Sequence, residues 1–346
     1  MTSRRSSIRL GDLSVGFVQS ISAAVKQHGH HVSQLLERFE LSPERLAEPH
    51  ARLSIPRYMR LGHAATQLTG NPALGLVIGQ HSSLNHLGLA GVTALQAPTV
   101  RAAARCITRF EPLYAKNYRG KSQFYEDSNG AWLSFYSIAP YNAYNFFVVE
   151  SVLLGWLNHL RQVCRSQMDI ECLQIEYPEP SYAADFATYT QGTVDFSAAH
   201  NRLRLSQPSL ALRNPHHCPN TWHALLELCE EQLALKTHNY GLVEQVAQLI
   251  APLLKNGEPH IEHIAQKMQM PSWTLRRKLA TQGTQFRQLV NDTRFDLACN
   301  YIRDTDLSFS EISWLLGFSS PEAFQRAFKR WAKQTPGEFR KAMTRN

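Results

Sequence analysis

The chain has 346 residues, enough for two domains at roughly 100–200 residues each, and its 43% hydrophobic, 18% charged composition suits a globular protein with a buried core. The most apolar segment, Phe146 to Leu157, is interrupted by Glu150 and falls short of the ~20 residues that span a bilayer; Asp12 and its polar neighbours break any signal-like run, so the cytoplasm is the expected compartment. The net charge of +8 is uneven: residues 255–346 carry 15 Lys/Arg against 9 Asp/Glu, the rest 21 against 19, so an anionic partner is expected at the C-terminal quarter.

Residues 11–110 read mainly as helices. Gly16 to His28 and Val32 to Phe39 are amphipathic, and Ser42-Pro43-Glu44 has the form of a cap followed by proline at the first helical position. Pro56 to Leu68 continues helically until Thr69-Gly70-Asn71-Pro72 breaks it. Pro98-Thr99 precedes another helix, with Val100, Ala103, Ala104 and Ile107 at helical spacing.

The period then changes. Lys121 to Glu126 and Ala131 to Ile138 alternate around Asp127-Ser128-Asn129-Gly130, a hairpin signal. A long apolar helix is expected over Asn142 to Val163, a strand over Ile170 to Tyr177, a short helix over Tyr182 to Tyr189, and strands at Thr193 to Phe196 and Arg202 to Leu205. Local hairpins with crossing helices predict an α+β domain with a mostly antiparallel sheet. Trp222 to Leu235 and Leu242 to Leu254 are helical, and Asn256-Gly257-Glu258-Pro259 ends the second.

From there on the pattern is all α and it repeats. Ile261, Ile264, Ala265 and Met268, a turn at Gln269-Met270-Pro271, then Leu275 and Leu279 are echoed by Phe309, Ile312, Ser313 and Leu316, a turn at Gly317-Phe318-Ser319, then Phe324 and Phe328. Each copy is a short helix, a tight turn and a second helix, with a small residue where the two cross: the helix-turn-helix pattern, whose second helix enters a major groove. Positive charge sits on those second helices, as Arg276, Arg277 and Lys278, and as Arg326, Lys329 and Arg330. A single helix over Phe286 to Asp304, about 28 Å long, joins the copies. Successive major-groove faces are about 34 Å apart, so it can hold two reading heads near that separation.

Gly317-Phe318-Ser319-Ser320, Ala323-Phe324-Gln325-Arg326-Ala327-Phe328-Lys329-Arg330 and Thr335-Pro336-Gly337-Glu338-Phe339-Arg340 closely resemble the distinctive stretch of the AraC/XylS transcription regulators. Leu68 to Gly75 and His86 to Gly91 are similar to the variant with an N-terminal arabinose-binding-type domain, found in regulators of ornithine and fatty-acid metabolism and of virulence. The resemblance implies base-edge contacts from Trp273, Arg276 and Arg277 in the first unit and from Glu322, Gln325 and Arg326 in the second. Lys278, Lys329 and Arg330 are expected at phosphates. It implies operator DNA, a small-molecule effector, RNA polymerase and a second copy of the chain as partners, and no cofactor. The expected layout is 1–212 for sensing and dimerisation, 213–240 as helical linker and 241–346 for DNA binding. The chain departs from the family at Lys333, where glycine is usual: Lys333 must adopt a left-handed conformation at some cost or end the helix differently.

Enzymatic signatures are absent: there is no G-x-S-x-G, Walker loop or H-E-x-x-H. The six cysteines form no C-x-x-C, and the clusters His28/His30/His31 and His216/His217/Cys218 lack the spacing and third ligand of a metal site. In the sensor, aromatic residues gather near the long helix. Arg109 and Arg119, with Tyr114, Tyr144 and Phe146, form the expected effector pocket, suited to an amphipathic carboxylate such as a fatty acid. The alternative is a ligand-independent regulator whose N-terminal domain is an oligomerisation or protein-interaction module.

Overall fold

The computed structural model describes residues 11–117, 120–142, 144–238, 241–305 and 307–344. Two compact units result, Asp12–Leu235 and Lys236 onward. The first holds strands β1 (Gly11–Ser14), β2 (Arg52–Ser54), β3 (Ala115–Asn117), β4 (Gln123–Asp127), β5 (Gly130–Phe135), β6 (Cys172–Gln174), β7 (Thr193–Asp195) and β8 (Asn201–Ser206). Its helices are α1 (Phe17–Gln27), α2 (Ser33–Arg38), α3 (Pro43–Ala47), α4 (Ile55–Thr69), α5 (Leu74–Gln80), α6 (Leu89–Leu95), α7 (Val100–Arg109), α8 (Glu111–Tyr114), α9 (Phe146–Cys164), α10 (Gln207–Ala211) and α11 (Pro219–His238).

The expected hairpin forms: β4 and β5 pair antiparallel, with Asp127 opposite Gly130. Asp127 Oδ1 accepts from the backbone N–H groups of Asn129 and Gly130, which fixes the turn. The sheet order is β4-β5-β8-β6-β7, antiparallel except for β6 and β7. Alternation along β5 buries Ala131, Leu133 and Phe135 and turns Trp132 to the other face, beneath the guanidinium of Arg202 at 3.8 Å.

Three short pieces depart from expectation. The helical N-terminal hundred residues also contribute β1 and β2, which join β3 in a second sheet of order β2-β1-β3. The strand expected over Ile170 to Tyr177 is regular only at β6, and Tyr182 to Tyr189 folds as a 3-10 helix over Ala183–Thr188. Strands this short carry too few alternating residues to register as a period.

Helix α9 runs through the middle of the first unit and is buried over most of its surface, which explains its largely apolar sequence. Its one acidic residue, Glu150, is completely buried. Its Oε1 accepts from the hydroxyls of Tyr177 (2.8 Å) and Tyr182 (2.6 Å), and its Oε2 has no hydrogen-bond partner. Burial pushes its pKa to about 7, so the folded state binds a proton the unfolded chain releases near pH 4.5. Stability from this group is therefore full below about pH 4.5 and lost as pH rises through 7. His159 acts oppositely: burial lowers its pKa to about 3, and its contribution is lost as pH falls below about 6.5. The wild-type minus Glu150→Gln difference isolates the first effect. We expect it to decline by about 3 kcal/mol between pH 4.5 and 7.5 in urea unfolding, and a flat difference refutes the buried-acid assignment.

The second unit is entirely helical: α12 (Leu242–Ile250), a 3-10 turn over Ala251–Asn256, α13 (Ile261–Lys267), α14 (Ser272–Thr281), α15 (Phe286–Asp304), α16 (Phe309–Leu315), α17 (Pro321–Ala332) and α18 (Pro336–Thr344). Its core includes Ile264, Leu275, Leu279, Ile312, Leu316, Phe324 and Phe328, all completely buried: the apolar residues that repeat in the sequence.

Candidate functional site

Each half of the repeat builds the same turn. After α13, Met270 N–H donates to Ala265 C=O (3.0 Å) and Gln269 N–H to Gln266 C=O (3.0 Å). After α16, Phe318 N–H donates to Ser313 C=O (3.0 Å) and Gly317 N–H to Trp314 C=O (3.0 Å). These paired bonds close the last turn of a helix and require a left-handed residue just past its end, here Gln269 (φ 53°) and Gly317 (φ 68°). The following helix is thus launched at a defined angle across the first, with small Ala265 and Ser313 buried at the crossing.

The nine side chains expected to meet DNA all lie on α14 or α17 and are exposed: Trp273, Arg276, Arg277 and Lys278 on the first, Glu322, Gln325, Arg326, Lys329 and Arg330 on the second. The opposite faces carry the buried Leu275, Leu279, Phe324 and Phe328, so helical phase alone turns the polar set outward. Trp273 is 62% exposed rather than part of the core, and the Arg277 guanidinium sits 5.5 Å from its ring centroid. Arg276 reaches Glu262 on α13 at 3.1 Å. Both partners are 64% exposed, and such a pair is worth at most about 1 kcal/mol, too little to fix the Arg276 side chain in place. On α17, Ser320 caps the helix by accepting from Ala323 N–H. A hydrogen bond from the Ser320 side chain holds the Glu322 carboxyl below its usual pKa. Glu322 is therefore a charged acceptor, the chemistry that pairs with a cytosine amino group. Lys333 takes the left-handed conformation (φ 62°) at the end of α17.

Arginines also set the frame. Arg294 on α15 donates to the carbonyls of Leu316 (2.9 Å) and Gly317 (3.4 Å) and lies over Phe318, clamping the second turn to the connecting helix. Arg340 donates to Leu307 C=O (2.6 Å) and lies over Phe309. Thr335 and Glu338 cap α18 reciprocally, and Phe339 meets the Phe328 ring edge-on. The Thr335-to-Arg340 motif is thus structural. Two features go beyond the sequence reading: Trp314 on α16 is 49% exposed, and Arg287 joins Arg276 in lining a groove with Ile261, Gln285 and Phe286. A cation in the first turn of a helix opposes the helix dipole, and that placement is the signal by which Arg287 was detectable.

In the first unit, α9, α1, α4 and the two sheets line a partly open apolar cavity of about 80 Å³. Val148, Ser151, Val152, Gly155, Trp156 and His159 line it from one face of α9. The polar groups it meets include Glu111, which accepts from Ser122 N–H (2.8 Å) and Oγ (2.6 Å), and His159, which shares a hydrogen bond with Ser82 Oγ (2.9 Å). Of the five residues expected to form an effector pocket, Tyr114 lines this cavity, with its hydroxyl bound to Ile107 C=O. Arg109 lies elsewhere, 63% exposed on the outer face of α7 and paired with Glu230 of α11 at 2.7 Å. Phe146 stacks on Tyr177 with ring centroids 4.3 Å apart, and Tyr144 packs on His63. Arg119 is outside the described residues.

Among the described residues no group of His, Cys, Asp and Glu is arranged to hold a metal, and no helix is long and apolar enough to cross a membrane. Residues 29–214 match the family model described as the arabinose-binding domain of AraC transcription regulator, N-terminal, and residues 264–342 match a helix-turn-helix domain. The chain is 27% identical to the ornithine utilization regulator of Pseudomonas aeruginosa over 95% of its own length and 96% of that protein. It is 23% identical to the transcriptional regulator VirS of Mycobacterium tuberculosis, over 88% and 89% of the two chains. The crystal structure of the transcriptional regulator CdpR from Pseudomonas aeruginosa is also similar, at 21% identity and a TM-score of 0.43, covering 90% of this chain and 96% of that one. The matched domains, with the doubled helix-turn-helix, give the assignment: the chain belongs to the AraC-type DNA-binding transcription regulators that carry an N-terminal arabinose-binding-type domain, a family of regulators and not of enzymes.

Proposed function

We propose that this chain is a cytoplasmic, sequence-specific regulator that inserts α14 and α17 into successive major grooves of its operator and responds to a small amphipathic molecule in the cavity of its first unit. The observation that carries the DNA reading is the duplicated turn, each copy launching a helix whose outward face is polar and mostly basic. Base readout falls to Trp273, Arg276, Arg277, Glu322, Gln325 and Arg326, and phosphate contact to Lys278, Lys329 and Arg330, joined by Arg287. Regulation in this family implies RNA polymerase as a further partner. Self-association draws support from α11, which exposes Leu228 and Leu235 to solvent seven residues apart.

The effector reading rests on the cavity. Its fatty-acid form depended on Arg109 and Arg119; Arg109 already has Glu230, so the amphipathic lining is what supports a ligand there.

The test is binding of the full chain to an operator selected from random duplexes. Arg277→Ala is expected to cost about 1–3 kcal/mol on the selected site and much less on random duplex. Equal losses on both remove its base-reading role. Affinity should also fall steeply with salt, and a flat response contradicts the phosphate contacts.

A further inference from the structure

The cavity's lining carries its own electrostatic signature. Apart from Glu111 it is built of neutral side chains, and among the described residues no lysine or arginine faces it. Lys121, whose charge reaches Glu111, is exposed and outside the lining. Glu111 is itself partly buried, held by two hydrogen bonds from Ser122, and desolvation raises its pKa. A second carboxylate brought into that space would meet like charge in a low dielectric, with no lysine or arginine among the described lining residues to offset it. An ammonium group would meet the reverse. Glu111 offers it a charge-assisted hydrogen bond, and the rings of Phe17, Tyr58, Tyr114, Phe135 and Trp156 present faces and edges on which a cation and an apolar body can both rest.

A second, independent feature marks the cavity as a ligand site. The Nδ1 of His159 is buried and has no hydrogen-bond partner, while its Nε2 is engaged by Ser82. A buried polar atom left without a partner costs stability, and a bound polar group is one way to recover it. From Val148 to His159 the lining face of α9 extends about 16 Å, an apolar wall against which the body of a ligand would lie.

We propose that the effector of this protein is an apolar amine, whose ammonium pairs with Glu111 and whose hydrocarbon or aromatic part fills the cavity along α9. This rests on the reading of that cavity as the effector site, and the test separates the two. The full chain is titrated by calorimetry with octylamine, 1-octanol and octanoate, which share one tail and differ in head-group charge. Octylamine is expected to bind tightest and octanoate weakest. Glu111→Gln should weaken octylamine by about tenfold or more while leaving 1-octanol within about twofold, which also shows that the variant is folded. If octanoate binds as well as octylamine, or if Glu111→Gln leaves the amine-to-alcohol ratio unchanged, the amine assignment falls and the effector cavity stands. If none of the three binds, both fall.

Discussion

Replacing Gly317 with alanine is expected to destabilise the second unit by about 3–4 kcal/mol and abolish operator binding. Two costs add. Gly317 is left-handed at φ 68°, a conformation that costs an L-residue about 1–2 kcal/mol. A Cβ there would also collide with the carbonyl oxygen of Leu254 and lie 3.1 Å from that of Gly257. Both are backbone atoms that cannot rotate away, and overpacking of that kind costs about 1–3 kcal/mol. Against a total stability of about 5–15 kcal/mol this is a large fraction. The corresponding seat in the first turn provides the control. Gln269 is also left-handed, so Gln269→Gly should stabilise or be neutral, by up to about 1 kcal/mol. Urea unfolding of both variants checks the pair; a neutral Gly317→Ala would mean the turn is not held as described.

The second large effect lies in the first unit. Gly75→Ala should destabilise it by about 3 kcal/mol. A Cβ at Gly75 would fall on Oε2 of Glu150 and 2.6 Å from Phe147 Cα, at the crossing of α5 and α9. Alanine's better helix propensity returns at most about 1 kcal/mol. The displaced carboxyl would strain its bonds to Tyr177 and Tyr182, and a buried polar group left unpaired costs about 1–3 kcal/mol. Gly75→Ala combined with Glu150→Ala should recover part of the loss, because the contact with Oε2 goes while Phe147 Cα and the residue-150 Cβ stay 2.6 and 2.9 Å away. If the double variant is no better than the sum of the singles, the collision is not the cause.

These two glycines show why parts of the fold were legible. The Gly75 and Gly317 neighbourhoods carried the family resemblance, and both are places where backbone or helix approaches too closely for a side chain. The reading heads were readable because the chain states their geometry twice, in residues of matching size and phase. The β2-β1-β3 sheet was not, because it joins segments around residues 12, 53 and 116, each three or four residues long, and β2 runs directly into α4. Arg109 was drawn into the expected pocket by its nearness in sequence to aromatic residues. Helical phase argues otherwise: Ala103, Cys106 and Ile107 face inward on α7, and Arg105 and Arg109 lie on the far side. Glu111 escaped notice because an acid in the first turn of a helix is ordinary; only the packing of α8 against the cavity reveals that it lines that space.

The measurement that bears most directly on two reading heads in one protomer is guanine-N7 methylation interference on the selected operator. Two patches of major-groove interference about 10 base pairs apart on one face of the duplex are expected, with Arg277→Ala erasing one and Arg326→Ala the other. One patch per protomer, or two that survive both substitutions, would contradict the account.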